Sequence, residues 1–311
     1  MRPRKLAKGG TLFKIEALQD RVTVYHDETK GAGGGSMWGH AILFIPKRIR
    51  QNLLKDLEDA RSYPNVRYKG KLRFADLSES VYTPKYECSR AWIEIGVEYL
   101  KKKKGCKLGI IFFNKEAADL EYYHGDKKEK ILKFVETVLR IVLKGTIHYL
   151  YDENWKVVIE EIITDGKAWH RQLSDFRIVG KLVEEVREYV TIADGAGITS
   201  VFSNHNDDRC NDINGAQFLQ LTDLLLGSVI QCCLKSPKGG GKKEVVVRPV
   251  REMLNKRRRG RNFRYSSHYR SFGLTIAGIE NGEWMFEQVN TGQVIYEDNQ
   301  LKLFEFREGT L

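Results

Sequence analysis

The stretch VTVYHDETKGAGGGSMWGHAILFI, residues 22–45, contains two apolar runs that are joined by a glycine-rich connector. We predict that residues 20–26 and 37–45 form neighbouring antiparallel strands, because two runs of strand length around a flexible connector favour such a pair. The first run ends on two carboxylates, Asp27 and Glu28. Acidic residues at the end of a strand indicate either a turn or a site that uses their charge.

The rest of the chain alternates between helical and strand patterns. Helical periodicity marks residues 85–104, 127–150, 174–190 and 215–234, and apolar runs of strand length mark residues 66–74, 107–113, 155–166 and 198–203. Parallel strands need crossover connections, so this order predicts an α/β fold with a mixed sheet flanked by helices. Further on, Asn281-Gly282 between alternating residues predicts a hairpin in a small C-terminal β appendage.

The composition is that of an ordinary globular protein. Of 311 residues, 41% are hydrophobic and 30% are charged, which is enough to bury a full core. No apolar stretch approaches the length of a bilayer span and the first residues lack a hydrophobic signal core, so we expect a soluble, cytoplasmic protein with no membrane partner. The five cysteines form no C-x-x-C pair, which favours reduced packing residues over a zinc site.

The net positive charge is concentrated in residues 235–270. This basic block holds thirteen Lys and Arg residues against two acids, a surplus equal to the net charge of +11 of the whole chain. A localised cationic block favours a polyanionic partner, nucleic acid first, although a solvated loop that only aids solubility would have the same composition. The candidate nucleic-acid-binding residues are Lys242, Lys243, Arg257, Arg258, Arg259, Arg261 and Arg264.

Three acidic residues lie where an unpaired charge is costly. Asp27 and Asp165 end apolar strands, and Asp223 lies inside an apolar helix, on one face with Gln220. If the two strands are neighbours, these acids meet at one sheet edge. Converging carboxylates repel one another unless a cation neutralises them, and oxygen ligands favour Mg²⁺ or Mn²⁺. Taken singly, Asp27, Glu28 and Asp165 could be turn residues, and Asp223 could pair with an arginine.

The motifs VYHDET, TDGK and FLQLTDLLLGSVI together resemble a large prokaryotic family of unknown function in the RNase H-like, or retroviral integrase-like, superfamily. Its members carry Asp-Glu at the end of the first strand, an Asp after a middle strand, and a Gln-Leu-x-Asp-Leu-Leu-x-Gly helix. The matching positions are Asp27 and Glu28, Asp165, and Gln220 with Asp223 and Gly227, and the resemblance covers residues 20–234. It implies an RNase H-like fold whose carboxylates bind two divalent metal ions.

The chain departs from this family at one position. The family often carries Glu-x-Lys on the third strand, where this chain has Lys71-Leu72-Arg73. The missing acid would weaken metal binding unless Asp76, Glu87 or Asp208 replaces it, and a lysine there could instead position a phosphate. The predicted organisation is a basic N-terminal extension (1–19), an RNase H-like domain (20–234), a basic nucleic-acid-binding segment (235–270) and a β appendage (271–311).

These observations predict a metal-dependent nuclease that acts on RNA or DNA. Asp27 would bridge two Mg²⁺ or Mn²⁺ ions, Asp165 and Asp223 would complete their ligand shells, and Glu28 would bind metal or orient water. Two alternatives stay open. One is an RNase H-like module that binds nucleic acid without cleaving it, which Lys71 favours. The other is a subunit of a defence or mobile-element complex, in which the basic block contacts a protein partner or a second copy of the chain.

Overall fold

A computed structural model describes most of the chain between residues 19 and 288. The described ranges are 19–32, 37–77, 83–102, 105–114, 123–151, 156–166, 173, 176–185, 190–234, 242–259, 271–280 and 283–288. Apart from residue 19, the predicted N-terminal extension therefore lies outside the described residues, and so does the chain after residue 288.

Within these ranges, eight strands form one mixed sheet. The strands are β1 (Gln19–Ala32), β2 (Met37–Pro46), β3 (Lys107–Asn114), β4 (Lys156–Asp165), β5 (Val190–Ile192), β6 (Ile198–Val201), β7 (Phe272–Glu280) and β8 (Glu283–Gln288). Their order is β5-β4-β1-β2-β3-β7-β8, and β6 also pairs with β4. β2 runs antiparallel to β1 and β3, and β8 runs antiparallel to β7. The β1–β4, β4–β5, β4–β6 and β3–β7 pairs are parallel.

Helices cover both faces of the sheet. They are α1 (Lys47–Ser62), α2 (Pro84–Lys101), α3 (Lys127–Leu150), α4 (Lys181–Glu185), α5 (Ile213–Leu234) and α6 (Lys242–Arg259). Buried residues of α1, α2, α5 and α6 form one core with the sheet, and buried residues of α3 and α4 form a second core with its other side. We call these sides the α5 face and the α3 face. The predicted α/β class with a mixed sheet flanked by helices is confirmed.

The first turns of α2 and α3 follow from local sequence. Asp126 accepts a hydrogen bond from the Glu129 backbone N–H while the Glu129 side chain accepts one from Asp126 N–H, a capping box that starts α3. Thr83 caps α2 through its side chain, and Pro84 occupies the first helical position, where its missing N–H is not needed. Both ends therefore satisfy backbone donors that the helices cannot satisfy internally.

A bulge in β4 determines which face its last residues occupy. Glu160 is inserted between two successive register pairs of β4 with β1. Ile159, before the bulge, packs on the α3 face, whereas Ile163 packs on the α5 face. Strict alternation would place residues 159 and 163 on the same face. The extra residue therefore turns the end of β4, with Asp165, toward α5.

The C-terminal strands do not form the separate appendage that the sequence suggested. β7 pairs in parallel with β3 along Leu108–Phe113, and its residues Phe272 and Leu274 belong to the core of the α5 face. An apolar strand gains most where both of its faces are covered, so β7 adds to the main sheet rather than starting a second one. β8 pairs back onto β7 as the predicted hairpin requires, although residues 281–282 lie outside the described ranges.

The described part of the basic block is a helix that packs into the core. One side of α6 is buried against α2 and α5 through Val246, Val247, Val250, Met253 and Leu254. Residues 242–259 are therefore not a solvated loop, and nucleic-acid binding by the basic block stays a prediction. Between the charged residues, the sequence contains an apolar stripe with helical spacing, and this stripe packs against α2 and α5.

Residues 66–74, which the sequence analysis predicted as a strand, do not join the sheet. They have no regular structure until a 3₁₀ turn at Phe74–Asp76. The backbone N–H groups of Leu72 and Phe74 instead bond to side chains of α5. Side-chain acceptors on a helix thus replace the edge of a neighbouring strand.

The cysteines and helices agree with two further expectations. All five cysteines are free thiols, and four of them are buried, as expected for packing residues. None of the helices within the described ranges is both long enough and apolar enough to cross a lipid bilayer.

Gly227 sets how closely α5 approaches the 3₁₀ turn. A Cβ atom at this position would lie 2.2 Å from Cγ of the Phe74 ring. No side chain fits at that distance, so any larger residue must push the turn away from the helix. Because the Phe74 backbone bonds to α5, this close contact also fixes the backbone beside the helix.

We predict that Gly227→Ala destabilises the protein by about 1–3 kcal/mol through overpacking. Gly145 in α3 is the matched control, because a Cβ atom there would lie 3.6 Å from Cδ1 of Ile111, an ordinary contact. Gly145→Ala should be neutral or stabilising by up to about 1 kcal/mol, since alanine favours the helix. Urea unfolding of both variants measures the difference. Equal effects of the two changes would show that the contact with Phe74 is not tight.

Candidate functional site

Asp27 and Asp165 lie side by side where the pairing of β1 with β4 ends. β1 itself continues to Ala32, so the expectation that Asp27 ends its strand is corrected. The parallel register of β1 and β4 runs up to the residues immediately before these two acids. Neighbouring strands lie about 4.8 Å apart, so the two backbones are adjacent at this point. Asp27 pairs across the sheet with Ala41, and Asp165 pairs with Val201; both of these partners belong to the core of the α5 face. The two acids therefore lie on the α5 face.

Asp223, on α5, lies next to the same part of β1. The Asp27 side chain lies within hydrogen-bonding reach of the Asp223 carboxyl group, and this contact acts to lower the pKa of Asp223. Oδ2 of Asp223 also accepts a hydrogen bond of 2.7 Å from the backbone N–H of Phe74. Asp27 is only 7% exposed, whereas Asp223 keeps partial access to solvent. Two carboxyl groups that are distant in sequence thus meet beside the sheet, and we call Asp27 and Asp223 the acid pair.

The acid pair resists carrying two negative charges. Burial raises the pKa of Asp223 above its ordinary value, while the Phe74 N–H and the positive charges of Arg73 and Lys71 act in the opposite direction. A hydrogen bond between two carboxyl groups requires a proton on one of them. At a pH where two separate aspartates would both be ionised, this pair either keeps one proton or needs a cation to neutralise part of its charge.

Gln220, one turn before Asp223, joins four chain segments. Its Oε1 accepts hydrogen bonds from Leu72 N–H (2.9 Å) and from Arg61 Nη2 (2.8 Å). Its Nε2 lies 2.6 Å from the backbone oxygen of Ser203 and 3.0 Å from Nδ1 of His205. The side chain is buried and its polar atoms are satisfied, so it positions the surrounding segments and leaves no group for a ligand.

Lys71 lies at the site, at the position where the resemblance would place an acid. Its Nζ donates a hydrogen bond of 2.6 Å to Oγ of Ser203, and the Ser203 backbone N–H lies 3.3 Å from Oδ1 of Asp165. Two of the acids that could replace the missing one have other partners, since Asp76 pairs with Lys85 and Glu87 pairs with Arg90. Ser203 therefore links Asp165, the third carboxylate of the site, to the cationic side chain of Lys71.

Glu28 does not lie with the other acids. It pairs across β1–β2 with His40, which stacks on Phe113 in the core of the α3 face. His26, two residues before Glu28, lies 2.9 Å from His40 between ring nitrogens. Successive residues of a strand point to opposite faces, so the expectation that Glu28 lines the pocket of Asp27 is corrected.

The acids supply oxygen donors of the kind that hard divalent cations prefer, but within the described part of the chain they are not grouped as a metal site. Among the described residues, no three His, Cys, Asp or Glu side chains are grouped closely enough to hold a metal ion. Asp27 and Asp223 are in contact, and Asp165 follows on the adjacent strand with its carboxylate near the Ser203 N–H. Oxygen donors of this kind suit Mg²⁺ or Mn²⁺, and the acid pair needs a neutralising charge.

Most candidate nucleic-acid-binding residues of the basic block lie outside the described side chains. Arg261 and Arg264 belong to undescribed residues, and the side chains of Lys242, Arg257, Arg258 and Arg259 are not described. Lys243 is described: its Nζ lies 5.6 Å from the centre of the Phe74 ring. The start of α6 therefore brings one cation next to the turn that holds Asp223.

Sequence reasoning missed the groups that hold these acids in place. Ser203 and Arg61 show no motif, because a serine after a strand and an arginine in an amphipathic helix are common. The bulge at Glu160 had a weak signal, since two consecutive acids, Glu160 and Glu161, interrupt an apolar strand. The alternation of cationic and uncharged residues from Arg67 to Arg73 is visible in the sequence, but a strand would show the same pattern.

The chain gives no match to models of known protein families and none to curated proteins.

We predict that Gln220→Leu destabilises the protein by about 2–4 kcal/mol, because it leaves the Leu72 N–H and the Ser203 carbonyl without their partner. Gln217→Leu on the same helix is the control. Gln217 donates one hydrogen bond, to the exposed Glu58, so its loss should cost less than about 1 kcal/mol. Chemical unfolding of both variants tests this, and a similar small loss in each would remove the positioning role of Gln220.

We predict that Asp223→Asn raises the melting temperature at pH 8 in EDTA by about 2–4 °C. The folded-state pKa of Asp223 is raised above its ordinary value of 3.8, so its contribution is fully present below that value and is lost as the pH rises through the raised pKa. The gain should disappear toward pH 4. Asp59→Asn, at an exposed acid of α1, should change nothing. A lower melting temperature for Asp223→Asn at pH 8 would show that the ionised Asp223 carboxylate does not destabilise the folded protein.

Proposed function

We propose that this chain is an RNase H-like, divalent-metal-dependent nuclease that hydrolyses phosphodiester bonds in RNA or DNA. The observation that carries the proposal is the contact between the Asp27 and Asp223 carboxyls, with Asp165 on the adjacent strand. An acid pair between a central strand and a helix is costly for stability, and active sites are where such costs are usually accepted.

The strand arrangement supports the RNase H-like part of the proposal. β2 lies between β1 and β3 and runs antiparallel to both, and β4 joins the other side of β1 in parallel. This is a mixed sheet with helices on both faces, as the resemblance of residues 20–234 implies. The acids fall on β1, on β4 and on the late helix α5, which is the order of the family motifs.

Asp27, Asp165 and Asp223 are the residues that would hold the metal. Divalent ions bound there would activate a water molecule and stabilise the charge of the leaving oxygen. The Phe74 N–H orients Asp223, and Ser203 contributes its N–H to Asp165 and its hydroxyl to Lys71. Lys71 and Arg73 place positive charge next to the acids, where it can stabilise a phosphate whose negative charge increases during the reaction.

A second function, binding of nucleic acid without cleavage, is favoured by one observation. Lys71 and Arg73 already lower the pKa of Asp223, so they supply part of the neutralising charge that a metal ion would bring. A chain that has replaced metal by fixed cations would keep the fold and the nucleic-acid surface and lose turnover. This role does not need Asp165 to bind metal.

The test is a cleavage assay on labelled single-stranded and double-stranded RNA and DNA, with Mg²⁺, Mn²⁺ or EDTA. We expect cleavage with metal and none in EDTA. Asp27→Asn and Asp223→Asn should each lower the rate by orders of magnitude, because each removes a ligand, while binding in EDTA stays at the wild-type level. Asp59→Asn on α1 serves as the control and should keep full activity.

Two results would decide against the nuclease. Cleavage that survives in both Asn variants would show that the acid pair is not the site. Binding of nucleic acid without cleavage of any of these substrates in either metal would support the second function instead.

A further inference from the structure

Residues 66–74 alternate between buried and exposed positions. Val66, Leu72 and Phe74 are buried, and Tyr68 and Gly70 are partly buried. The residues between them are all cationic. Arg67, Lys69 and Arg73 are exposed, and Lys71 is partly exposed. We call Arg67, Lys69, Lys71 and Arg73 the cationic row.

Hydrogen bonds fix the backbone of the cationic row at nearly every position. Nη1 of Arg61 donates to the carbonyl groups of Tyr68 (3.2 Å) and Gly70 (2.9 Å). The Lys69 carbonyl accepts a bond of 2.8 Å from Asn206 and lies 3.0 Å from Nε2 of His205.

The rest of the row is held in the same way. The Lys71 carbonyl accepts a bond of 3.1 Å from the hydroxyl of Tyr68, and the N–H groups of Leu72 and Phe74 bond to α5. A segment without regular secondary structure is thus held as firmly as a strand. The backbone of the row therefore loses little further entropy when its side chains bind a partner.

The charges of the cationic row are largely uncompensated. Within the described ranges, the side chains of Arg67, Lys69 and Arg73 form no ion pair, and Lys71 bonds to a neutral serine hydroxyl. Among the nearby acids, Asp207 is engaged by Arg209, and Glu58 accepts a hydrogen bond from Gln217. Arg67 and Lys69 thus have no ion-pair partner among the described residues, whereas Lys71 and Arg73 lie close enough to Asp223 to act on its pKa. The surplus of positive charge along the row favours an anionic partner.

The backbone of Arg67 is strained, in the turn that follows α1. Its φ is +35°, and among the described residues it is the one non-glycine residue with a positive φ. This conformation is strained for arginine but not for glycine. Retaining a charged side chain there is consistent with use of the charge.

The row connects a pocket with the acid pair. At one end, Arg67 and Lys69 line a pocket of about 500 Å³ together with His205, Asn206 and Gln217. At the other end, Phe74 bonds to Asp223, and both Lys71 and Arg73 act on its pKa. The volume is within the range of sites that hold small organic ligands, and the lining offers the amide groups of Asn206 and Gln217 to a nucleobase. Both ring nitrogens of His205 are already engaged, and the lining also includes the carboxylate of Glu58.

We infer that the cationic row is the main nucleic-acid-binding track of this protein, and that it guides one strand from the pocket to the acid pair. The inference rests on the proposed function for the identity of the partner. It assigns binding to Arg67, Lys69, Lys71 and Arg73 rather than to the basic block. Phosphates of the strand lie along the row, and one nucleotide occupies the pocket beside Arg67 and Lys69.

The test measures binding in EDTA, separately from cleavage. The double variant Arg67→Gln/Lys69→Gln removes two charges that do not touch the acid pair. The control Lys127→Gln/Lys128→Gln removes two exposed charges from the start of α3, on the other side of the sheet. Both are titrated with a labelled single-stranded oligonucleotide at several salt concentrations, and circular dichroism checks that both fold.

We expect the affinity of the Arg67/Lys69 variant to fall about tenfold or more at physiological salt. The slope of log K against log salt should become less steep by about 1.4, since each lost phosphate contact on a single strand removes about 0.7. The control should keep the wild-type affinity and slope.

Three outcomes would overturn the inference. Wild-type slope and affinity in the Arg67/Lys69 variant would exclude the row, even if Mg²⁺-dependent cleavage is observed. A wild-type protein that binds no oligonucleotide would exclude it as well. If polyglutamate of matched charge displaces the oligonucleotide equally well, the row is a general polyanion-binding surface and not a nucleic-acid track. A reduced slope without any cleavage would support the row and count against the nuclease.

Discussion

The structure depends on the contact between two carboxyl groups, Asp27 on β1 and Asp223 on α5. Like charges in a partly buried position oppose folding, so everything around them must compensate. The Phe74 N–H, the nearby Lys71 and Arg73, and a proton or cation between the carboxyls supply that compensation. A core designed for stability alone would have apolar residues here, because replacing buried charges by well-packed apolar groups is often stabilising. The cost is therefore a physical argument for function.

The helix motif has two roles that the sequence cannot separate. Gln220 and Asp223 accept hydrogen bonds from Leu72 and Phe74, and Gly227 lets the Phe74 ring approach the helix. All three would be explained by the need to hold residues 66–74 in place. Only Asp223 also faces another carboxyl group. A structural role thus accounts for Gln220 and Gly227 completely, and it leaves the contact with Asp27 unexplained.

Periodicity predicted the elements well, and tertiary pairing decided the rest. The α/β class, the β1–β2 pair and the helices α3 and α5 followed from apolar spacing, because those patterns are local. The face of Asp165 depends on one inserted residue, Glu160, and a bulge has no reliable local signal. The pairing of β7 with β3 is non-local, and so is the replacement of a strand edge by α5 side chains at residues 66–74. The error at Glu28 was of another kind, since alternation along β1 already placed it opposite Asp27.

Electrostatics links the acid pair to the cationic row. A phosphodiester strand that approaches carboxylates is repelled, so a site built from Asp27, Asp165 and Asp223 alone could not attract its substrate. Metal ions reduce that repulsion at the site itself, but they do not orient a strand over several nucleotides. Cations on a fixed backbone can do so, because their position does not change when the ligand binds. Gln220 and Asp223 hold that backbone in place, so the same helix that carries an acid also positions the cations that the acid makes necessary.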